Sequence, residues 1–290
     1  MRTAAVRHYG RKMAFHVVRC AHCDLVYVNP RPDTNEIRAY YPSQYQADMR
    51  QMLHEGLTNP VVRAGLEMVR HRRTPPVAAV GRVLDIGCSS GTYLAGLRQR
   101  GWEVQGLEID PEAAEYARTQ GGLPVQTGNA EDVLPGFPEA SFDVVTMWHV
   151  LEHFFDPARV LTEVCRILKP GGFLMLELPN FRCPLAALFG EYWFPLEPPR
   201  HLYHFTPQTL EAMLARVGLR LVKLRGVPSP EAIVWSLGAW RNRRVEKVES
   251  DGVSLNPVWM GVCFPVSWVM AQFGLSDHMA ALAVKPPATA

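Results

Sequence analysis

Residues 83–91 read VLDIGCSSG. A strand-like run, Val83-Leu84-Asp85-Ile86, meets a turn of small residues, and a helical pattern, TYLAGLRQR, follows from Thr92. Strand, small-residue turn and helix is the layout that brings bare backbone and a helix N-terminus close to a bound group. The turn does not match the G-x-G-x-x-G fingerprint of dinucleotide sites, because Ser89 stands at the second glycine and the spacing fails. It also lacks the Gly-Lys-Ser/Thr ending of a phosphate-cradling loop. What remains is Asp85 closing one strand and Glu108 closing the next. A carboxylate can accept from two ribose hydroxyls at once. The implied ligand carries a ribose and need not carry phosphates.

Outward from this turn, strands alternate with helices. Strands are expected at 82–86, 103–108, 124–127, 142–147, 173–178, 219–224 and 280–284. Asp110-Pro111, Asp156-Pro157 and Thr206-Pro207 each read as an N-cap followed by proline in the first helical turn. The helix after Asp156 places Val160, Leu161, Val164, Ile167 and Leu168 on one face, and Lys169-Pro170-Gly171-Gly172 stops it. This alternation implies an α/β fold whose mostly parallel sheet is covered by helices on both faces. Ligands of such sheets bind outside the carboxyl ends of the strands. Two connections, at about 179–205 and 226–279, far exceed the usual ~4–6 residues and are expected to act as lids.

The chain has 290 residues and a net charge of +2, so no strong field points to nucleic acid. Its six cysteines do not form a secreted disulfide framework, and the basic N-terminus lacks the apolar core of a signal peptide; a cytoplasmic protein is expected. Residues 1–45 read as irregular, with Cys20-x-x-Cys23 and then VNPRPD as strand and turn, and residues 46–73 as helical, ending in His71-Arg72-Arg73. The domain division expected is 1–74 and 75–290. Residues 252–276 contain no charged side chain, but polar residues, prolines and glycines dilute the stretch. It reads first as a buried or lid-forming helical pair, with peripheral lipid contact as the second reading.

The series VLDIGCSSGTYLAGL, VQGLEIDPEAAEYAR, GNAEDV, SFDVVTMWHVLEHFFDP and RILKPGGFLMLELPN resembles the class I S-adenosylmethionine-dependent methyltransferases, over residues 81–224. The resemblance implies a Rossmann-like seven-stranded sheet with the last strand antiparallel and helical lid insertions. It implies that Asp85, Gly87 and Cys88, in the turn continued by Ser89 and Gly91, line the methionine end and ribose of the cofactor. It further implies that Glu108 binds the ribose hydroxyls, Ile109 packs on the adenine, Asn129 and Ala130 meet the adenine edge, and Trp148 or His149 closes over it. Ser89 stands where many members have glycine, and Asn129 where aspartate is common. RCAHCDLVYVNPRPD and LEPPRHLYHFTPQTL resemble a bacterial subgroup with a small zinc-ribbon-like segment, often linked to sugar, glycan or natural-product methylation. Zinc usually takes four ligands. Cys20 and Cys23 supply two, and His8, His16 or His22 would have to complete the set, so the segment reads as a metal-free remnant.

The cofactor's sulfonium already activates the methyl group, so the protein must mainly align an acceptor and exclude water. A hydroxyl acceptor adds the need for a base, and histidine suits it. His149, His153, His201 and His204 fall in pocket-forming segments. His149, His201 and His204 are the candidate bases, with a structural hydrogen-bonding role equally open for each. HVLEH resembles the E-x-x-E-H patch of quinone-pathway O-methyltransferases, which can bind a divalent metal. Here LEH is read as the start of a loop, with no metal expected. The function expected is O-methylation of a small molecule: a sugar, a glycan precursor or a secondary metabolite. N- or C-methylation and a non-catalytic cofactor-binding relative are the alternatives. Base methylation of nucleic acid is disfavoured, because MWHVLEH replaces the Asn/Asp-Pro-Pro-aromatic stretch.

Overall fold

A computed structural model describes residues 2–8, 11–41, 73–76, 79–241 and 257–287. The helix expected over 46–73 lies outside these residues, apart from Arg73.

The seven expected strands all form. They are β4 Arg82–Ile86, β5 Glu103–Glu108, β6 Val125–Thr127, β7 Phe142–Trp148, β8 Leu168–Pro179, β10 Arg220–Val227 and β11 His278–Val284. They make one sheet in the order β10-β11-β8-β7-β4-β5-β6. The β4–β5, β4–β7, β5–β6 and β7–β8 pairs are parallel, and β11 runs antiparallel to both β8 and β10. The strand order reverses beside β4, so a crevice opens at its carboxyl end.

Alternation along the strands splits the core in two, because successive side chains leave on opposite faces. Leu84, Ile86, Val145, Met147, Leu174 and Leu176 face one cluster, closed by α4 (Pro157–Ile167) and α6 (Pro207–Arg216). Val83, Val144 and Met175 face the other, closed by α1 (Thr92–Gln99) and α2 (Pro111–Thr119). In α4, Val160, Leu161, Val164 and Ile167 are all fully buried, each contributing roughly 1.5–3 kcal/mol of transfer free energy. The three expected caps are made. Asp110 accepts from Glu112 N–H at 2.9 Å, Asp156 from Arg159 N–H at 3.0 Å, and Thr206 closes a capping box with Thr209.

The N-terminal residues are not irregular, as the sequence suggested. β1 (Arg2–His8) pairs antiparallel with β2 (Arg11–Arg19), which pairs with β3 (Val26–Val28). The fourth strand of this second sheet is β9 (Tyr203–His204), inside the 179–205 insertion. The Cys20–Cys23 stretch is the turn between β2 and β3, with Asp24 N–H donating to the Cys20 carbonyl at 3.1 Å. Of these strands, β3 (3 residues) and β9 (2 residues) pair across about 175 positions of sequence, which a local pattern does not reveal. The insertion also holds α5 (Pro184–Phe189), and Trp193 Nε1 donates to Asp277 Oδ1 at 2.6 Å, fixing it to the loop before β11. The second insertion forms α7 (Pro230–Arg241) and α8 (Pro257–Gln272).

Candidate active site

The turn after β4 needs its glycines. Gly87 has φ +74°, and a Cβ there would meet Val150 Cγ2 at 2.5 Å; Gly91 has φ +75°, and a Cβ there would meet Leu123 Cδ1 at 2.3 Å. Ser89 between them also takes a left-handed conformation, φ 48°, strained for a residue with a side chain. Its N–H is held by the Glu108 Oε2 at 2.7 Å. Glu108 Oε1 accepts from Asp110 N–H at 2.9 Å. Burial pushes the Glu108 pKa up, while these two N–H groups oppose the rise. An ionised carboxylate accepts about four hydrogen bonds, so two acceptor sites are left over on a side chain only 8% exposed. Beside it Ile109 is 67% exposed, a large apolar side chain with no packing role in the core clusters.

Asp85, at the end of β4, is buried and accepts from Thr146 Oγ1 at 2.6 Å. Burial pushes its carboxyl up to about 7, against the Thr146 hydroxyl and the charge of Arg73. The Cys88 side chain turns into the core, against Gly106, so the thiol does not line the crevice. Asn129 caps the short helix α3 (Ala130–Val133), its Oδ1 accepting from Glu131 N–H at 3.3 Å, and Ala130 packs into the core. Trp148, ending β7, packs edge-on to Tyr93 at 5.3 Å and under the Arg73 guanidinium at 4.5 Å. Its Nε1 is buried without a hydrogen-bond partner.

A connected set of charges continues from Arg73. Its guanidinium grips Glu177 of β8 through Nη2 at 2.8 Å and Nε at 3.3 Å. Glu177 Oε1 lies 3.3 Å from His149 Nε2, and Glu152 Oε1 lies 3.7 Å from His149 Nδ1. Burial pulls the His149 pKa down, but the two carboxylates outweigh it and raise it to about 9. Burial likewise pushes Glu177 up, yet His149 and Arg73 hold it far below the usual carboxylate range. His149 has φ 58°, a backbone strain of about 1–3 kcal/mol of the kind found at functional sites.

Glu152 is fully buried, and neither carboxylate oxygen has a hydrogen-bond partner. His153 Nδ1 lies 2.9 Å from the Arg200 carbonyl and 3.0 Å from the Tyr41 hydroxyl, and His201 Nδ1 lies 2.8 Å from the Pro195 carbonyl. Burial, above all, lowers both imidazole pKa values. In His153, Nδ1–H faces the Arg200 carbonyl and Nε2 keeps its lone pair, whereas His201 Nε2 lies 3.2 Å from Glu197 Oε2. Among the described residues, the donor atoms of Glu152, His153 and His201 fall within 4.8 Å of one another, a group that could hold a metal ion; Cys20 and Cys23 are not part of such a group.

The carboxyl ends of β4, β5 and β7 and the turns after them thus bring together Asp85, Gly87, Ser89, Gly91, Glu108, Ile109, Trp148 and His149. His201 reaches the Glu152 side of the same region, 3.9 Å away. His204 does not join it by any hydrogen bond: it lies in β9, buried against Phe181 at 5.4 Å, with both ring nitrogens unpartnered and its pKa lowered by burial to about 3. Sequence reading missed Arg73 and Glu177. Glu177 did leave a signal, as the lone charge in the apolar run FLMLELP, where a buried carboxylate requires a partner.

Residues 61–224 match the family described as methyltransferase domain. The ubiquinone biosynthesis O-methyltransferase of Xanthomonas axonopodis pv. citri (strain 306) is 32% identical over 197 residues, 64% of this chain and 76% of that protein. The enzyme of the same name from Azoarcus sp. (strain BH72) is 33% identical over 157 residues, 50% of this chain and 67% of that protein. A SAM dependent methyltransferase from Archaeoglobus fulgidus shares the fold with TM-score 0.56 and 21% identity, over 81% of this chain and 99% of that one. With the seven-stranded sheet and the acidic strand ends already in place, the chain belongs to the methyltransferase-domain family of enzymes.

Proposed function

We propose that this chain transfers a methyl group to a hydroxyl of a small-molecule acceptor, with S-adenosylmethionine as donor. The observation that carries the reading is Glu108. Its carboxylate is fixed by the N–H groups of Ser89 and Asp110, keeps two acceptor sites for a ribose diol, and stands beside the exposed Ile109, an apolar platform for an adenine. Asp85 and the turn 87–91 then take the amino-acid end of the cofactor, Asn129 and Ala130 border the adenine, and Trp148 closes over it. The bound cofactor supplies a methyl group already activated for transfer.

The chain's own part is to orient the acceptor and take its proton. His149 is the proposed base, being the candidate histidine that is half-exposed at the strand ends; His201 is buried behind Glu152. Glu177 and Glu152 hold the imidazole from both sides and stabilise the imidazolium that proton transfer creates. A sugar, glycan-precursor or secondary-metabolite hydroxyl is the acceptor class that the subgroup resemblance supports. The relatives named for ubiquinone biosynthesis bring in hydroxyls of that pathway's intermediates. The six free cysteines are consistent with a cytoplasmic setting.

The test uses S-adenosylmethionine with a carbon-13 methyl group and extracts of the source cell. A new O–CH3 resonance in a small-molecule fraction supports the reading. An N–CH3 or C–CH3 product overturns the hydroxyl assignment, and label in nucleic acid overturns the acceptor class.

A further inference from the structure

The helix α8 turns an apolar face outward. Its inward side follows the i, i+4, i+8 spacing: Cys263, Ser267 and Ala271 are buried, and the Ser267 hydroxyl accepts from Ser229 N–H at 2.6 Å. A surface helix normally puts polar residues on the opposite side. Here that side carries Val258, 70% exposed, then Trp259, Val262, Val266 and Val269, and Phe273, 74% exposed, follows the helix. Trp240 on α7 and Leu188 on α5 are exposed as well and border a common recess. Exposed apolar surface on this scale marks a site of interaction.

We propose that α8 docks this protein onto an anionic lipid bilayer, lying in the plane of the membrane surface. No helix among the described residues is long and apolar enough to cross a membrane. An in-plane helix needs only one apolar face, and the protein itself covers the other. Tryptophans at two exposed positions, Trp259 and Trp268, suit the boundary between headgroups and acyl chains. Basic side chains border the ridge. Arg241, exposed, ends α7; Arg182, exposed, follows Asn180, whose amide donates to the carbonyls of Gly274 and Ser276; Arg225 borders a recess with Phe273. Among the described residues lining the recess with Trp240, Glu191 is the one acidic side chain. Anionic headgroups complement the exposed arginines that border the ridge, Arg182 and Arg241.

The α7–α8 insertion leaves from the carboxyl end of β10 and returns into β11, whose first residue, His278, packs edge-on against His149 at 4.7 Å. The ridge and the acceptor side of the crevice therefore share one rim. Resting on the acceptor reading above, the consequence is that the acceptor is amphiphilic and reaches His149 from the bilayer.

The experiment is co-sedimentation of the full chain with vesicles of phosphatidylcholine, with and without phosphatidylglycerol. The wild type is expected to bind the anionic vesicles. The double variant Trp259→Ser, Val262→Ser is expected to lose roughly tenfold or more in partitioning. Its unchanged affinity for S-adenosylhomocysteine would show an intact fold. A second variant, Trp259→Phe with Trp268→Phe, is expected to keep binding and to weaken the quenching of tryptophan fluorescence by brominated lipid, Trp240 remaining at the border of the surface. No binding of the wild type to either vesicle overturns the inference. So does a concentration-dependent dimer that the double variant abolishes, since the ridge would then face a second copy. Cofactor affinity is read separately, so a failed methyltransferase reading is distinguishable from a failed docking surface.

Discussion

His149 and Glu177 are joined twice: the His149 N–H donates to the Glu177 carbonyl at 2.7 Å, and the imidazole Nε2 lies 3.3 Å from the Glu177 carboxylate. The backbone bond holds His149 at the end of β7 in a left-handed conformation, and the side-chain contact aims its ring along the strand ends. Arg73 binds the same carboxylate from the other side, so the imidazole is positioned by a pair of residues that sequence places far away.

This arrangement sets the pH dependence. His149 is raised from its ordinary value to about 9, so its ion pair stabilises the fold fully below the unfolded histidine value of about 6.5 and is lost as pH rises through about 9. Glu177, held low, contributes above the ordinary carboxylate range and loses that contribution in acid. The difference in melting temperature between wild type and His149→Asn should therefore shrink as pH rises from neutrality through about 9. As base, His149 must first lose its proton, so kcat/KM should climb toward about pH 9. His149→Asn should lower kcat by about 10²–10⁴-fold and flatten the profile. A wild-type rate that is level across this range would move the role to His201, whose pKa lies well below.

Glu108→Ala removes the acceptor for two ribose hydroxyls. Hydrogen bonds to a charged group contribute about 1.5–3 kcal/mol each, so affinity for S-adenosylhomocysteine should fall about 100-fold or more by calorimetry. Glu108→Gln keeps one oxygen and should lose less. Unchanged affinity in Glu108→Ala would remove this residue from the cofactor site.

Asp85 titrates at about 7 because burial opposes its charge. A ligand bearing an ammonium group binds the ionised form better. Affinity for S-adenosylhomocysteine should thus rise as pH rises through about 7, and Asp85→Asn should abolish that rise. A pH-independent wild-type affinity would show that Asp85 does not face the amino group.

His204→Leu should raise thermal stability. Burying an unpartnered polar group costs about 1–3 kcal/mol, and both His204 nitrogens are in that state beside Phe181. Methyl transfer should be unaffected. A folded variant without activity would return His204 to the list of candidate bases.

The fold was legible because its signals are local. The alternation at 82–86 and 142–147, the proline-marked caps at Asp110, Asp156 and Thr206, and the small-residue turn at 87–91 each depend on neighbours within a few residues. Asp85 and Glu108 were legible for the same reason, since the end of a strand can be read from its pattern. The thiol of Cys88 was not, because the direction of that side chain depends on the space left open at Gly106 on the adjacent strand.

By itself, then, the sequence determined the seven-stranded sheet, its caps and the acidic strand ends, which short-range hydrogen bonding and periodic burial dictate. The tertiary structure alone decided that Arg73 meets Glu177, that β9 completes the N-terminal sheet, that His149 and not His201 is open to the crevice, and that α8 turns its apolar side outward. Each of these depends on which distant segments pack together, and a charge, a pKa or an exposed face is fixed only by the sum of those neighbours.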